Sequence, residues 1–163
     1  MTTLTTIELY KESMHFSAAH FTIFSATERE RLHGHNYRVQ VDLTTLVQEN
    51  GMASDYAVFK QKIISLCQQL DEYCLLPTQS SYLKISEQDD HYLVRFNNKQ
   101  MTLLKEDVYL MEVRNITIED LSLWFLRELV QDSELLREHL IHALVVKVFS
   151  GPGQCASANW ELV

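Results

Sequence analysis

Leu32-His33-Gly34-His35-Asn36-Tyr37-Arg38-Val39-Gln40-Val41-Asp42-Leu43 is the stretch on which the reading of this chain turns. Side chains alternate across a β-strand, and here Tyr37, Val39, Val41 and Leu43 fall on one face while Asn36, Arg38, Gln40 and Asp42 fall on the other. That pattern predicts a strand over residues 35–43 with one buried face. His33 and His35 share the parity of the apolar residues. Both imidazoles therefore face the core side, where a neutral ring needs a hydrogen-bond partner or a metal. Gly34 between them is expected to relieve crowding at a close approach.

Upstream, Ile7 and Leu9 fall on one parity and Tyr10, Met14, Phe16 and Ala18 on the other, which predicts an extended segment over residues 7–20. A polar connection over residues 25–31 lets this segment fold back on the strand as a hairpin. His20 then closes the first arm, thirteen residues before His33. Three imidazoles on one sheet surface suit zinc with a fourth position left open, although a His-x-His pair also occurs as a purely structural feature.

Downstream the period changes. After the Asn50-Gly51 turn, Tyr56, Phe59, Ile63, Leu66, Cys67 and Leu70 recur at helical spacing, with Ser54 as the expected N-cap. A second helix is predicted after Thr117, whose hydroxyl caps it with Asp120 three residues on; Leu121, Trp124, Phe125 and Leu129 form its apolar stripe. A short helical stretch follows over residues 133–142. Between the helices, β-type runs at 92–96 and 100–104 flank the turn pair Asn97-Asn98. The chain closes with a strand over 144–149, a Gly151-Pro152-Gly153 turn and a strand over 156–162. The order is two strands, helix, hairpin insert, helix, two strands, an α+β chain with an antiparallel sheet.

The 163 residues carry a formal net charge of −8, with 46% apolar and 22% charged side chains. One domain over 1–163 with its own core is expected, and disordered, collagen-like or coiled-coil chains are excluded. Acidity argues against a nucleic-acid partner. No apolar run reaches membrane-spanning length and no signal-peptide pattern opens the chain, so a soluble, cytoplasmic protein is expected. Cys67, Cys74 and Cys155 fit no disulfide or zinc framework and read as buried or free thiols. His91, His139 and His142 read as structural or exposed.

Taken together, Phe16-Ser17-Ala18-Ala19-His20, Leu32 to Tyr37, Gly51-Met52 with Asp55-Tyr56, Leu70-Asp71, and Asn115-Ile116-Thr117-Ile118-Glu119 resemble the 6-pyruvoyl tetrahydropterin synthase / 6-carboxytetrahydropterin synthase family. The matches run in order along nearly the whole chain except residues 77–114. The resemblance implies the tunnelling fold, a four-stranded antiparallel sheet with two helices on one face, here with a β-hairpin insert at about 77–114. It implies zinc on His20, His33 and His35, and a pterin pocket at the interface of a homo-oligomer, a trimer or hexamer. It also implies a carbon–oxygen or carbon–carbon lyase acting on 7,8-dihydroneopterin triphosphate or a related pterin.

Departures from the family pattern shape what is carried over. Arg29 stands where most members have a reactive cysteine, four residues before His33. Glu30 gives Glu-x-x-His-Gly-His, similar to the branch with a glutamate base, and a partly desolvated carboxylate there is expected to rise in pKa; a charge in a solvated loop is the plainer alternative. The family's Asp-His pair is Asp71-Glu72 here. Thr117 and Glu119 match one side of the pterin pocket, or serve as a helix cap and a first-turn dipole partner. Ser150 stands where the family has a pterin-gripping glutamate, and a hydroxyl cannot accept two donors as a carboxylate does. Arg29, Arg31 and Arg38 are candidates to offset negative charge near a triphosphate. A zinc-binding paralogue that binds a different small ligand without turnover is the rival reading.

Overall fold

A computed structural model describes residues 3–162. β1 (Thr3–Leu9), β2 (His15–His20) and β3 (His33–Val47) come first, then α1 (Ala57–Leu70) and β4 (Tyr73–Pro77). β5 (Lys84–Gln88), β6 (His91–Phe96), β7 (Lys99–Leu104) and β8 (Val108–Met111) follow. α2 (Ile118–Val130), α3 (Ser133–Glu138), β9 (Ile141–Gly151) and β10 (Gln154–Glu161) complete the chain.

β3 organises the main sheet. Its first half pairs antiparallel with β2 from His20 opposite His33 to His15 opposite Arg38. Its second half pairs with β1, and its other edge carries β9, which in turn pairs with β10. The expected single extended segment over 7–20 is thus two strands, broken by a turn in which the Met14 N–H donates to the Lys11 carbonyl at 2.9 Å. One 15-residue strand is long enough to serve two partners on one edge.

Two expectations about the sheet are corrected. It has seven strands rather than four, because the first expected strand divides into β1 and β2 while β4 adds parallel to β2 and β8 parallel to β4, the last two making it mixed rather than antiparallel. The insert is more than a hairpin: β5, β6 and β7 form a separate three-stranded antiparallel sheet. Asn97 and Asn98 both take positive φ at its β6–β7 turn, as a two-residue hairpin loop of this twist requires. α1 also starts without Ser54 as its cap. The Ser54 hydroxyl bonds Nδ1 of His139 at 3.0 Å instead, and Asp55 Oδ1 accepts the Ala57 N–H at 2.8 Å.

The apolar face of β3, with Tyr37, Val39, Val41 and Leu43, packs under α1 (Phe59, Ile63, Leu70) and α2 (Leu121, Phe125, Leu129), with Val146 and Val148 of β9 beside it. The predicted helical stripes are the ones buried here, except Tyr56, which precedes α1 and is exposed. A second core joins the insert to the main sheet through Phe21, Ile23, Leu76, Val94, Phe96 and Val108. Cys67 and Cys74 are buried and Cys155 is exposed; burial pushes the first two thiols up to about 12 and about 11. His139 packs edge-on against Phe59 and His91 is paired with Asp90. Among the described residues no helix is long and apolar enough to cross a membrane.

α2 begins as expected, with the Thr117 hydroxyl accepting the Asp120 N–H at 3.3 Å. The buried Asp120 carboxylate works in the other direction, accepting the N–H groups of Arg114 and Asn115, each at 3.1 Å, and the Arg114 guanidinium. Asp120→Ala should strip those donors of their acceptor and lower stability by about 1–3 kcal/mol. A urea midpoint unchanged from the parent protein would count against this role.

Candidate active site

The site is built on the β2–β3 ladder. In an antiparallel pair, residues directly opposite project to the same face, so His20 and His33 are neighbours by register alone. His35 follows two residues on and lies opposite Ala18, whose methyl leaves room for the imidazole. One rung further, Phe16 and Tyr37 stack at 4.8 Å. Tyr37 presents its ring edge-on to His35 at 5.6 Å and to His20 at 5.9 Å, an apolar floor beneath the polar set. Gly34 does not act as expected: a Cβ there would meet the Ala18 carbonyl oxygen at 3.4 Å, an ordinary contact. It lies instead on the opposite side, in a cavity of about 440 Å³ shared with Ser17, Asn36, Glu72 and Asp107.

The three imidazoles converge. Their ring centroids are 4.7, 5.1 and 4.8 Å apart, and one nitrogen from each lies within 4.8 Å of the others. His20 Nδ1 meets the Ile116 carbonyl at 2.8 Å, and His33 Nδ1 meets the Arg31 carbonyl at 2.7 Å. A carbonyl only accepts, so both Nδ1 atoms carry the proton and both Nε2 atoms keep their lone pairs. His33 Nε2 stands 3.0 Å from His35 Nε2, and His20 Nε2 is buried with no hydrogen-bond partner. An unsatisfied buried acceptor costs about 1–3 kcal/mol. In the metal-free contact the proton between the two rings then lies on His35 Nε2; with that proton moved to His35 Nδ1, a cation answers all three Nε2 lone pairs at once. A tetrahedral ion bound at about 2.0–2.1 Å sets its donors about 3.4 Å apart, near the 3.0 Å of the His33–His35 pair and inside the 4.8 Å that bounds all three, and carbonyls orienting the far ring nitrogens are the usual support of such ligands. The set fits a metal.

Burial is the main cause holding the His20 imidazole below its ordinary value of 6.5; His33 and His35 add to it, and the Ile116 carbonyl opposes it. The ring is therefore neutral at pH 7, the form a metal ligand requires.

Glu30 is tied to the same strand end. Its N–H donates to the Thr22 carbonyl at 2.8 Å, and the Thr22 N–H donates to Glu30 Oε2 at 3.0 Å. Partial burial pushes the carboxyl up, but the Thr22 donor and the adjacent His20 and His33 outweigh it, and the group lies below its ordinary 4.5. The expected rise is reversed, and Glu30 is ionised at neutral pH. Arg29 lies over the rings of Phe21 at 4.7 Å and Phe96 at 5.9 Å while donating to the Glu30 carbonyl at 2.6 Å. Arg29 and Arg31 line a cavity of about 510 Å³ with Glu28, Glu30 and Lys99. Arg38 is not among its walls, because it has the opposite parity to His35 and lies across from Phe149.

The other candidates are more dispersed. The Asp71 carboxylate accepts the Ser17 N–H at 2.7 Å, joining the end of α1 to β2. Glu72, exposed and at φ 66°, donates its N–H to the Ser17 carbonyl and lines the cavity beside Gly34 and His35. Thr117 caps α2, and Glu119 is exposed in its first turn. Ser150 accepts from Gln154 Nε2 at 3.0 Å at the β9–β10 hairpin. The carbonyls of Ile116 and Arg31 and the backbone of Thr22 escape sequence reading, since a main-chain group carries no residue signature; Asn115 stands in the run that resembles the family but without a role, and its side chain bonds both backbone groups of Ile23.

The pH response of the metal-free protein follows from His20. The unfolded chain takes up a proton on this residue near pH 6.5, whereas the folded chain resists to lower pH, so below that value the unfolded state binds more protons and is favoured. Stability of the metal-free protein should therefore fall between pH 7 and pH 5, and the fall should be smaller in His20→Gln. Equal urea midpoints at both pH values in the parent protein would contradict this.

A family model described as 6-pyruvoyl tetrahydropterin synthase matches residues 8–161. A Methanocaldococcus jannaschii protein named putative 6-carboxy-5,6,7,8-tetrahydropterin synthase is 27% identical over 144 residues, 88% of each chain. The crystal structure of 6-pyruvoyl tetrahydropterin synthase from Plasmodium vivax superposes with a TM-score of 0.92 at 28% identity, covering 98% of this chain and 99% of that one. A form of the P. vivax protein with alanine in place of a glutamate described as its catalytic residue matches with the same TM-score and coverage at 27% identity. With nearly the whole chain matched and the three histidines gathered on one face, the protein belongs to the 6-pyruvoyl tetrahydropterin synthase family.

Proposed function

We propose that this protein is a zinc-dependent lyase acting on the side chain of 7,8-dihydroneopterin triphosphate or a related pterin. The observation that carries the reading is the convergence of three imidazoles, one with an orphaned buried Nε2, beside an ionised glutamate. His20, His33 and His35 would hold the zinc, which when bound supplies Lewis-acid chemistry to hydroxyls of the substrate side chain. Glu30 is the acid/base. It is ionised at neutral pH and so free to accept a proton, and its paired hydrogen bonds to Thr22 hold it in the wall of the cavity lined by Arg29 and Arg31. A catalytic glutamate has a precedent in the P. vivax protein.

Asp71 supports the site by fastening β2 through Ser17, and Glu72, in the position of the family's relay histidine, is the further catalytic candidate, lining the cavity with Gly34 on the other side of β3. Thr117 and Glu119 take the pterin ring, the Glu119 carboxylate accepting from its amino and ring N–H groups. Ser150 is reached from a neighbouring subunit of a homo-oligomer, a trimer or hexamer. Curated relatives named for a carboxy product and structural neighbours named for a pyruvoyl product frame the outcome: loss of triphosphate, with or without carbon–carbon cleavage.

A second reading is favoured by one observation. Ser150 lacks the carboxylate of the family's pterin grip, which fits a zinc-binding paralogue with another small ligand and no turnover. Incubation of the metal-analysed protein with 7,8-dihydroneopterin triphosphate, with products identified by mass, separates the two. Turnover is expected, reduced about 10²–10⁴-fold in Glu30→Ala with zinc content unchanged. No pterin product from the zinc-loaded protein would sink the lyase reading, and full activity in the variant would remove Glu30 from it.

A further inference from the structure

Eleven consecutive residues, 20–30, begin with a metal-binding imidazole and end with the acid/base carboxylate. Its own hydrogen bonds close residues 22–30 on themselves, but what fixes that closed segment against the histidines must come from outside it. Asn115 provides that constraint. Its side-chain amide bonds both backbone groups of Ile23: the Ile23 N–H donates to Oδ1 at 3.1 Å, and Nδ2 donates to the Ile23 carbonyl at 2.8 Å. The same Oδ1 accepts the Ile116 N–H at 3.1 Å, and the Ile116 carbonyl is the one that orients His20. Two adjacent residues thus grip the connection at two points, His20 and Ile23.

From Ile23 the constraint continues to Glu30. Ile23 is bridged to Arg29 in antiparallel fashion, and Thr22 exchanges two hydrogen bonds with Glu30. On the far side, Asp120 accepts the N–H groups of Arg114 and Asn115, which anchors the grip to the first turn of α2. We propose that Asn115 is a positioning residue that sets the separation between the three imidazoles and the Glu30 carboxylate. The part concerning turnover rests on the lyase reading; the part concerning the metal does not. A residue that merely fastened the fold would lower the melting temperature and leave the folded protein's affinity for zinc unchanged.

The test uses the full chain with Asn115→Ala and Asn115→Asp, the latter isosteric and retaining the acceptor but lacking the donor to Ile23. Metal-free protein is titrated with Zn²⁺ against a chromophoric chelator, amide hydrogen exchange is followed at Thr22, Ile23 and Glu30, and steady-state kinetics are measured with dihydroneopterin triphosphate. Asn115→Ala should weaken Zn²⁺ binding about tenfold or more. It should also speed exchange at those three amides relative to the rest of the chain, and lower kcat about 10²-fold with KM held within about twofold. Asn115→Asp should show the same exchange signature with a smaller loss of Zn²⁺ affinity, and it carries the test if the alanine variant does not fold. Parental Zn²⁺ affinity together with parental exchange at Thr22, Ile23 and Glu30 overturns the proposal, whatever the melting temperature. If the parent protein turns over no pterin, the lyase reading fails, while affinity and exchange still decide the role of Asn115.

Discussion

The register of β2 against β3 is the constraint on which the rest depends. Pairing His20 with His33 also pairs Ala18 with His35 and Phe16 with Tyr37, so the set of imidazoles that could hold a metal and the centre of the core lie on one ladder. A slip of one residue would turn His20 to the polar face and take Phe16 off Tyr37 in the same movement. Burial of Phe16 and Tyr37 under the two helices therefore protects the histidine geometry. Stability and chemistry share an origin here.

The second core extends this logic to Glu30. Phe21 and Ile23, immediately after the last residue of β2, pack with Val94 and Phe96 of the insert, and Arg29 spans Phe21 and Phe96 with its guanidinium. Asn97 at the tip of the insert reaches the Thr27 carbonyl at 3.4 Å. The segment bearing Glu30 is held from one side by Asn115 and from the other by the insert sheet, which gives residues 84–104 a place in the architecture of the site. Arg29, at the position where most family members carry a thiol, is part of this support: its guanidinium packs on aromatic faces and bonds the Glu30 carbonyl.

Much of the fold was legible in local patterns. The alternation at Tyr37, Val39, Val41 and Leu43, the helical recurrence from Phe59 to Leu70 and from Leu121 to Leu129, the Thr117 cap and the Asn97-Asn98 turn each correspond to observed elements, because each rests on side-chain periodicity or on short-range backbone geometry. Pairings between distant segments were not legible. β4 and β8 are short apolar runs whose parallel partners depend on the path of the chain through the insert, and no periodic signal encodes that path. Ser54 looked like a cap and instead bonds His139, a residue 85 positions away.

By itself the sequence determined which side chains share a face: parity in a strand is a covalent consequence of the backbone, and it put His33, His35 and Tyr37 together before any contact was known. It also supplied His20 at the end of the preceding strand and Glu30 within reach of it. Only the tertiary structure decided the tautomers of His20 and His33, the direction in which Glu30 is shifted and where these groups are aimed. The Ile116 and Arg31 carbonyls select the histidine tautomers, and the Thr22 amide with the neighbouring imidazoles reverses the expected shift of Glu30. The tautomers rest on main-chain groups and the Glu30 shift on a main-chain amide together with two imidazoles, all brought close by folding, and main-chain groups are identical in every residue until the fold gives them a position.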